Sequence, residues 1–420
     1  MSAVKFKPVE EQLAYLKKGA AEIIPEPELK AKLEKSLSTG KPLRVYLGVD
    51  PTAPDIHLGH TVVLRKLKHF QDLGHTAIFL IGDFSAMIGD PTGRSETRPP
   101  LSREEVDANA KTYLDQVFKL LDREKTEVRR NSEWLDKLSS QEMVRLCGRY
   151  SLARMLERED FRSRLDNQQP ISVHELLYPL LTAVDAVQLK SDVELGATEQ
   201  KFNLLIHRHI QREYGLEGEV AFTMPILVGL DGQRKMSKSL GNYVGITEPP
   251  DEIFGKVMSM PDDLMWTYYD LVTDRTPGEI AALRKEVAAG SAHPMDVKMQ
   301  LANEIIRGFH GSLAAELAKQ DFLTRFRKKE IPDHLPEALV PLATWRSELV
   351  PGTTKIKAVK LIARLSKTSR SEIERLIKQG AVEIDGTKLT DIAEELELGV
   401  SRSFILRVGK FTLMKVVTSG

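Results

Sequence analysis

Residues 43–83 contain the feature that most constrains the fold, which is a helical segment between two apolar segments. "LRVYLGVD" (43–50) is rich in β-forming residues, and "HTAIFLIGD" (75–83) is a continuous apolar run, typical of a strand buried on both faces. Between them, a helical apolar face ends at Gly74 and comprises Leu58, Val62, Val63, Leu67, Phe70 and Leu73. This order predicts a right-handed parallel βαβ unit.

Further strands are predicted at 126–130, 186–193 and 220–228, with helical segments between them. The pattern predicts an α/β fold, in which a Rossmann-like, doubly wound parallel sheet extends to about residue 230. Ligands of such sheets bind at the carboxyl ends of the strands. "HLGH" (57–60) lies just beyond the first strand, so we expect a ligand site there.

The later sequence has a different character. Residues 248–345 show helical patterns without a clear strand, and 347–354 are predicted to form a joint. Residues 355–420 are predicted to form two short helices and then strands, with a hairpin turn at Asp385-Gly386. This segment holds 13 Lys+Arg and 8 Asp+Glu, a net of +5. On composition alone, a solvated face and a nucleic-acid surface are equally open explanations.

The composition limits the class of protein. Formal net charge is zero, so a nucleic-acid surface must be a local patch. Cys147 is the only cysteine, which excludes an internal disulfide and a multi-cysteine zinc site. We expect no membrane span, because every apolar run is far shorter than about 20 residues. The first residues lack the apolar core of a secretion signal, so we expect a cytoplasmic protein.

His57 and His60 have three possible roles: metal binding, core packing or phosphate binding. No acidic or cysteine partner lies at a metal-motif distance, so we single out no metal ligand. The Gly-, Pro- and Asp-rich helix start favours an open mouth over a packed core. Helix N-termini attract anions, and two imidazole donors beside Thr52 would cradle phosphate oxygens. Gly59 would leave room for a base or ribose.

A second signal is "DGQRKMSKSLGN", residues 231–242, which we call the flap loop. A basic loop alone usually means a solvated turn. Glycines flanking Lys235 and Lys238 suggest instead a mobile flap that closes over polyphosphate. The loop lies far along the chain from the histidines, so tertiary structure must bring the two together.

HLGH and KMSKS, in this order, resemble the signature pair of class I aminoacyl-tRNA synthetases. The finer resemblance is to bacterial tyrosyl-tRNA synthetases of the KMSKS branch, and it rests on "GVDPTAPDIHLGH", "IGDPTGRS", "LLYPLL", "VELGATEQKFNLL" and "LVGLDGQRKMSKSLGNY". The basic tail resembles their S4-like RNA-binding domain. The resemblance is weakest between about 260 and 350.

The resemblance implies three domains. Residues 1–247 would form the Rossmann-like catalytic domain, with a helical dimerisation segment inserted at about 135–180. A helical domain that binds the anticodon arm would follow at 248–346, and a small α+β S4-like RNA-binding domain at 353–420. The expected partners are tRNA-Tyr, L-tyrosine, ATP with Mg²⁺ and a second copy of the chain, but neither DNA nor a membrane.

The dimer rests on the resemblance alone. Leu152, Met155 and Leu156 stand at helical spacing and could supply the interface, but the spacing equally suits an internal core.

The resemblance also assigns roles in a two-step reaction that activates tyrosine with ATP and then charges tRNA-Tyr. The residues expected to stabilise the phosphates are Thr52, His57, His60, Lys235 and Lys238. Further ATP-binding residues would be Asp50, Gly59, Glu199 and Ser239, in addition to Lys238. Tyrosine would bind through Tyr46 and Asp185 at its hydroxyl, through Asp90 and Tyr178 at its ammonium group, and near Thr182 and Gln200. Core packing is the alternative role for Tyr178.

Four positions depart from the family pattern. Thr182 replaces a usual Gln that helps hold the ammonium group. Val184 stands where the family usually has an aromatic residue, Ala197 where it has a glycine, and Glu199 where it has an aspartate. These four differences leave open that the chain is a paralogue with a different amino-acid preference. The rival hypotheses are a tryptophanyl-tRNA synthetase, a non-catalytic RNA-binding paralogue and a nucleotidyltransferase of similar fold that makes a small-molecule adenylate.

Overall fold

The structure, a computed structural model, describes residues 6–52, 55–90, 101–324, 335, 337–399, 402–409 and 412–419. Contacts divide the chain into two compact units, Met1–Lys319 and Gln320–Gly420. The helices after residue 247 therefore group with the sheet in one unit as far as residue 319. The three-domain division with bounds 1–247, 248–346 and 353–420 stays a prediction. Among the described residues, no helix is long and apolar enough to cross a membrane.

The first unit is built on a six-stranded sheet. Its strands in chain order are β1 (Glu22–Ile24), β2 (Arg44–Val49), β3 (Thr76–Ile81), β4 (Thr126–Arg130), β5 (Val193–Ala197) and β6 (Val220–Met224). The spatial order is β1-β6-β5-β2-β3-β4. All neighbours run parallel except β1, which pairs antiparallel with β6 at the edge. The predicted doubly wound α/β fold is confirmed.

Helices cover the sheet and continue beyond it. The helices of this part of the chain are α1 (Val9–Lys17), α2 (Glu26–Thr39), α3 (Leu58–Asp72), α4 (Ser85–Ile88), α5 (Arg103–Val117), α6 (Ser132–Leu135), α7 (Ser140–Cys147), α8 (Leu152–Met155), α9 (Glu159–Asp166), α10 (Val173–Leu189), α11 (Lys201–Glu213), α12 (Pro250–Ser259), α13 (Leu264–Val272), α14 (Pro277–Ala288) and α15 (Pro294–Leu323). Short 3₁₀ turns occupy Arg123–Lys125 and Thr198–Gln200.

The predicted βαβ unit is β2–α3–β3, and its registers explain the continuous apolar runs. Val45 pairs with Ala77 and Leu47 with Phe79, and all four are buried. Both faces of these central strands are covered, so apolar residues occupy successive positions rather than alternate ones.

The predicted strand at 186–193 is wrong, because residues up to Leu189 belong to α10 and the strand begins at Val193. Helix α10 is buried on most of its surface, including the whole run from Tyr178 to Ala186. A helix buried all round loses the amphipathic period that separates helices from strands in a sequence.

The second unit contains a five-stranded sheet of order β10-β9-β12-β13-β7 and a two-stranded β11-β8 sheet. Its elements are β7 (Glu337–Pro341), α16 (Leu342–Trp345), β8 (Lys355–Lys357), α17 (Ala358–Leu365), α18 (Arg370–Lys378), β9 (Val382–Ile384), β10 (Thr387–Lys388), β11 (Glu395–Glu397), β12 (Ser403–Val408) and β13 (Thr412–Ser419). The two predicted helices and the hairpin are confirmed, since Asp385 and Gly386 both adopt positive φ between β9 and β10.

We expected no clear strand in residues 248–345, and β7 shows that this expectation is wrong. This strand pairs in parallel with β13, far along the chain, at the edge of its sheet. Because its pairing is non-local and it ends in Pro341, the short sequence "EALVP" carries little strand signal of its own.

Candidate functional site

A cavity of about 450 Å³ opens where β2 and β5 end, between the two halves of the doubly wound sheet. This is the place where ligands bind in open α/β sheets, because the connections on the two sides of it diverge. The predicted site residues that line the cavity are Tyr46, Asp50, Thr52, Gly59, His60, Asp90, Tyr178, Thr182, Asp185, Glu199, Gln200 and Lys235. The predicted residues His57, Lys238 and Ser239 are not among the residues that line it.

His57 and His60 form the N-terminal cap of α3. The Nδ1 atom of His57 accepts a hydrogen bond from the Gly59 N–H at 3.1 Å, and the Nδ1 atom of His60 accepts one from the His57 N–H at 3.2 Å. A neutral imidazole carries one proton, so each ring must carry it on Nε2. The cap therefore fixes both rings as Nε2–H donors at the mouth of the cavity.

Both histidines are neutral at pH 7. Desolvation, followed by the neighbouring His60 and Lys238, lowers the pKa of His57 to about 3. His60 reaches solvent through the cavity, yet desolvation and Lys238 lower its pKa to about 4. The rings lie with centroids 3.9 Å apart, where two imidazolium charges would repel each other. They can donate hydrogen bonds but cannot act as bases near pH 7 without losing the cap.

Gly59 is needed for a second reason in addition to the one predicted. A Cβ atom on this residue would lie 2.9 Å from Cε1 and from Nδ1 of His57. The absent side chain therefore preserves the position of the His57 ring as well as space beside the helix.

The structure brings the histidines and the flap loop together. The segment that directly follows the loop pairs with the chain before α3: the Leu58 N–H donates to the Val244 carbonyl at 2.9 Å, and the Ile246 N–H to the Ile56 carbonyl at 3.2 Å. At the base of the loop, Asp231 accepts from the N–H groups of Gln233 and Arg234. These contacts hold the loop over the cap of α3.

Both flap lysines are paired with carboxylates at the cavity mouth. Lys235 Nζ lies 2.9 Å from Glu199, and Lys238 Nζ lies 2.8 Å from Asp55. The Ser239 hydroxyl contacts the Ser237 hydroxyl at 2.9 Å. Because these pairs are largely exposed, an anionic ligand can replace the carboxylates at small cost.

Deeper in the cavity, polar side chains form two connected groups. The Tyr178 hydroxyl donates to Asp50 Oδ2 at 2.9 Å, and the Ser85 hydroxyl donates to Asp50 Oδ1 at 2.6 Å. The Gln200 amide donates to Asp90 Oδ2 at 2.9 Å. Two carboxylates and a phenol at one wall suit a bound ammonium group. Tyr178 is thus a polar site residue, not only a core residue.

Asp185 is buried, and both of its oxygens accept hydrogen bonds. Oδ1 accepts from the Trp134 indole N–H at 2.7 Å, and Oδ2 accepts from the Asn131 amide at 3.3 Å. Desolvation raises the pKa of Asp185. The Tyr46 hydroxyl is buried close to the Glu194 and Asp185 carboxyls. Its contact with Glu194 does not meet standard hydrogen-bond geometry.

Sequence reasoning missed Ser85, Asn131 and Trp134. The polar sequence "NSEW" after the carboxyl end of β4 was a usable signal, since polar residues there face a ligand site.

Sequence reasoning also missed Glu194 and His207. Thr182 Oγ1 lies 2.9 Å from Nε2 of His207, whose Nδ1 lies 2.9 Å from both oxygens of Glu194. The signal for Glu194 was a charged residue inside the apolar strand "VELGA". Of the other departures from the family pattern, Ala197 and Glu199 line the cavity, whereas Val184 packs in an apolar cluster.

The three residues suggested for a dimer interface differ in exposure. Leu152 is 60% exposed, whereas Met155 is 3% exposed and packs in an internal cluster with Leu156 against it. Met155 is therefore a core residue of this unit. Other exposed apolar side chains of the same region are Val144, Leu165 and Val173.

Comparison with known families gives two matches. The family described as tRNA synthetases class I (W and Y) matches residues 38–327. The S4 domain matches residues 358–400, within the predicted S4-like segment.

Curated relatives match nearly the whole chain. A tyrosine–tRNA ligase of Geobacter sulfurreducens is 52% identical over 403 residues, which is 96% of this chain and 97% of the relative. One of Moorella thermoacetica is 53% identical over 409 residues, covering 96% of this chain and 94% of the relative.

Solved structures share the fold at lower identity. A C-terminally truncated mitochondrial tyrosyl-tRNA synthetase of Aspergillus nidulans aligns with a TM-score of 0.63 at 22% identity, over 76% of this chain and 94% of that one. The tyrosyl-tRNA synthetase of Archaeoglobus fulgidus, solved with L-tyrosine, aligns with a TM-score of 0.59 at 24% identity, over 74% and 100%.

Proposed function

The chain belongs to the tyrosine–tRNA ligases, a family of class I aminoacyl-tRNA synthetases, and from this premise we propose how its residues carry out the reaction. It activates L-tyrosine with ATP to tyrosyl-adenylate and pyrophosphate, and then transfers the tyrosyl group to the 3′ end of tRNA-Tyr. The cavity itself supports this assignment of residues. Its mouth has Nε2–H donors on one side and flap lysines on the other, and its interior has carboxylates.

In the activation step, the tyrosine carboxylate attacks the α-phosphorus of ATP, and the bond from that phosphorus to the bridging oxygen of pyrophosphate breaks. The nucleophile is already ionised, so the enzyme needs no base. Charge builds on the phosphate oxygens, and fixed donors stabilise it. We assign this role to Thr52, His57 and His60 on one side of the cavity and to Lys235 and Lys238 on the other.

Further contacts to ATP are assigned to the walls of the mouth. Gly59 lets the nucleotide approach α3, Glu199 accepts from the ribose once Lys235 moves to phosphate, and Ser239 of the flap loop contacts the phosphates. Asp50 lies between the nucleotide and the amino acid.

Mg²⁺ is proposed to enter with ATP, where it neutralises phosphate charge. Among the described residues, the carboxylates of the mouth accept from other groups: Asp50 from Ser85 and Tyr178, Asp55 from Lys238, and Glu199 from Lys235. Such a mouth fits an ion held mainly by phosphates and water, the usual mode for Mg²⁺, rather than an ion bound before ATP arrives.

Tyrosine is proposed to bind with its phenolic hydroxyl towards Tyr46 and Asp185. Its ammonium group faces Asp90 and Tyr178, with Thr182 nearby, and its carboxylate lies near Gln200. Phenylalanine would leave a desolvated polar group unpaired at the Asp185 end, which costs roughly 1–3 kcal/mol or more.

The transfer step uses the later parts of the chain. We propose that residues 353–420, which include the S4 match, and the helices after residue 247 hold tRNA-Tyr while its 3′ end enters the cavity. The S4-like segment carries exposed cations at Lys357, Lys367 and Arg370, which suits phosphate binding. The enzyme is proposed to act in the cytoplasm, where its tRNA is used.

We further propose a homodimer through the helical segment at about 135–180. The supporting observation is that four large apolar side chains of this one segment, Val144, Leu152, Leu165 and Val173, each expose more than half of their surface. Met155 takes no part in this interface.

The assignment is tested by charging tRNA-Tyr with labelled tyrosine. The unmodified chain should charge it, and the Lys235→Ala/Lys238→Ala variant should lose most of the activity. Lys41→Ala, an exposed lysine between α2 and β2 and outside every proposed contact, is the matched control and should charge normally. Undiminished charging by the double variant would remove the flap lysines from the mechanism.

A further inference from the structure

Three buried ionisable side chains lie together below the amino-acid end of the cavity, and the proposed reaction uses none of them. Glu194 projects from β5, His207 from α11, and Glu219 immediately precedes β6. All three are buried, and each offers one ligand atom within 4.8 Å of the others.

The His207 ring lies between Thr182 and Glu194, and one of its two neutral tautomers points a lone pair at Glu194. The Thr182 hydroxyl has one proton, which it donates to the Tyr178 carbonyl one helical turn earlier at 3.0 Å. In the tautomer with the proton on Nε2, that oxygen accepts from the His207 ring at 2.9 Å. Nδ1 then carries no proton. That lone pair lies 2.9 Å from both oxygens of Glu194.

The Glu219 carboxyl adds another acceptor. One of its oxygens accepts from the Ser191 hydroxyl, while Oε1 receives no hydrogen bond from any residue that the structure describes. The adjacent Arg208 does not neutralise it, because that guanidinium bonds to the carbonyls of Gly218 and Glu219 and to the Glu28 carboxylate.

Acceptors that face one another in a buried site need a cation between them, since burying unpaired carboxylates is costly. The cation is either a proton or a metal ion. Glu194 and Glu219 are such a pair, because a carboxylate oxygen of each lies within 4.8 Å of one from the other.

We propose that Glu194, His207 and Glu219 bind a zinc ion. One imidazole and two carboxylates are an accepted zinc ligand set, with bonds of about 2.0–2.2 Å. Tetrahedral geometry then requires ligand atoms roughly 3.3 Å apart. The separations of 2.9 Å and up to 4.8 Å bracket that value, so small side-chain shifts complete the site.

The surroundings match those of a metal site in two respects. Ligating histidines donate their other N–H to an acceptor, and Thr182 is that acceptor for His207. Ser191 in the same way fixes one oxygen of Glu219. Glu194 and His207 also line the cavity, which gives the ion a path of entry and leaves its fourth position to water.

The test measures metal binding by the full chain, after treatment with a chelator, by titration calorimetry with zinc chloride alone. One equivalent should bind. Glu219→Gln and His207→Gln should each weaken binding at least 100-fold, and Thr182→Val, which removes the acceptor for Nε2–H, roughly 10- to 100-fold. His209→Gln, on the same helix but outside the cluster, is the control and should bind zinc as the unmodified chain does.

A measurement on the unmodified chain covers the case in which a variant fails to fold. Zinc X-ray absorption should show one imidazole among oxygen ligands. Absence of stoichiometric binding, or binding unchanged in Glu219→Gln, would overturn the proposal and leave a proton in the cluster. Two imidazoles would also overturn it, because they would put the ion at His57 and His60. None of these readouts depends on synthetase activity, so the two proposals fail separately.

Discussion

Replacing Asp55 with asparagine should make ATP bind more tightly. Asp55 holds Lys238 at 2.8 Å, and both side chains are partly exposed, at 53% and 32%. The proposed mechanism requires Lys238 to leave this carboxylate for a phosphate oxygen. Asp55→Asn keeps the side-chain volume, releases the lysine and removes a negative charge near the phosphates. Both changes should strengthen the binding of ATP.

The expected magnitude follows from the exposure of the pair. Exposed ion pairs contribute about 0.2–1 kcal/mol, so the KM for ATP should fall about 1.4- to 5-fold. Lys238→Ala acts in the opposite direction, because it removes a donor to the transition state. By analogy with the removal of one oxyanion-hole donor, it should cost about 2.7–4 kcal/mol, or roughly 10²–10³-fold in the rate of activation.

ATP–pyrophosphate exchange with tyrosine at varied ATP measures both variants. The Asp55→Asn effect should shrink at about 1 M salt, where charges are screened within about 3 Å. A 100-fold loss of activity in Asp55→Asn would refute the reasoning, since Asp55 would then be needed by ATP or its metal ion rather than being displaced.

Three further predictions concern the cap, the dimer and the tail. His60→Asn, which keeps an N–H donor, should retain more exchange activity than His60→Ala. An equal loss in both variants would contradict the proposed role of His60 as a hydrogen-bond donor. Leu152→Asp combined with Val173→Asp should convert a dimer to a monomer in light scattering after size exclusion, and an unchanged mass would place the interface elsewhere. Deleting 353–420 should spare tyrosyl-adenylate formation and abolish tRNA charging, whereas normal charging would show that the tail is not needed to hold tRNA.

The parts of the fold that sequence predicted are those encoded locally. The β2–α3–β3 unit and the turn at Asp385-Gly386 follow from neighbouring residues, because hydrophobic period and turn chemistry act over short distances. The start of β5 was misplaced because α10 is buried on most of its surface, so its apolar residues are not confined to one face of the helix. Strand β7 exists only through its pairing with β13.

The candidate site also contains residues that the sequence predicted and residues that it did not. His57, His60 and Lys235 could be named because each belongs to a short motif, and the two motifs together resemble a known signature pair. The contact of Trp134 with Asp185 and that of His207 with Glu194 join separate elements, and no local pattern encodes them. The pairing of the flap lysines with carboxylates was likewise invisible, because their partners Asp55 and Glu199 come from distant segments.

The central claim is that this cavity activates tyrosine through its phosphate donors and carboxylates. ATP–pyrophosphate exchange with each of the twenty amino acids tests it most directly. The account predicts exchange with tyrosine alone. No exchange with any amino acid would contradict the activation chemistry. A best response to another amino acid would contradict the proposed binding of tyrosine, and would direct attention to Thr182 and the side chains packed against it.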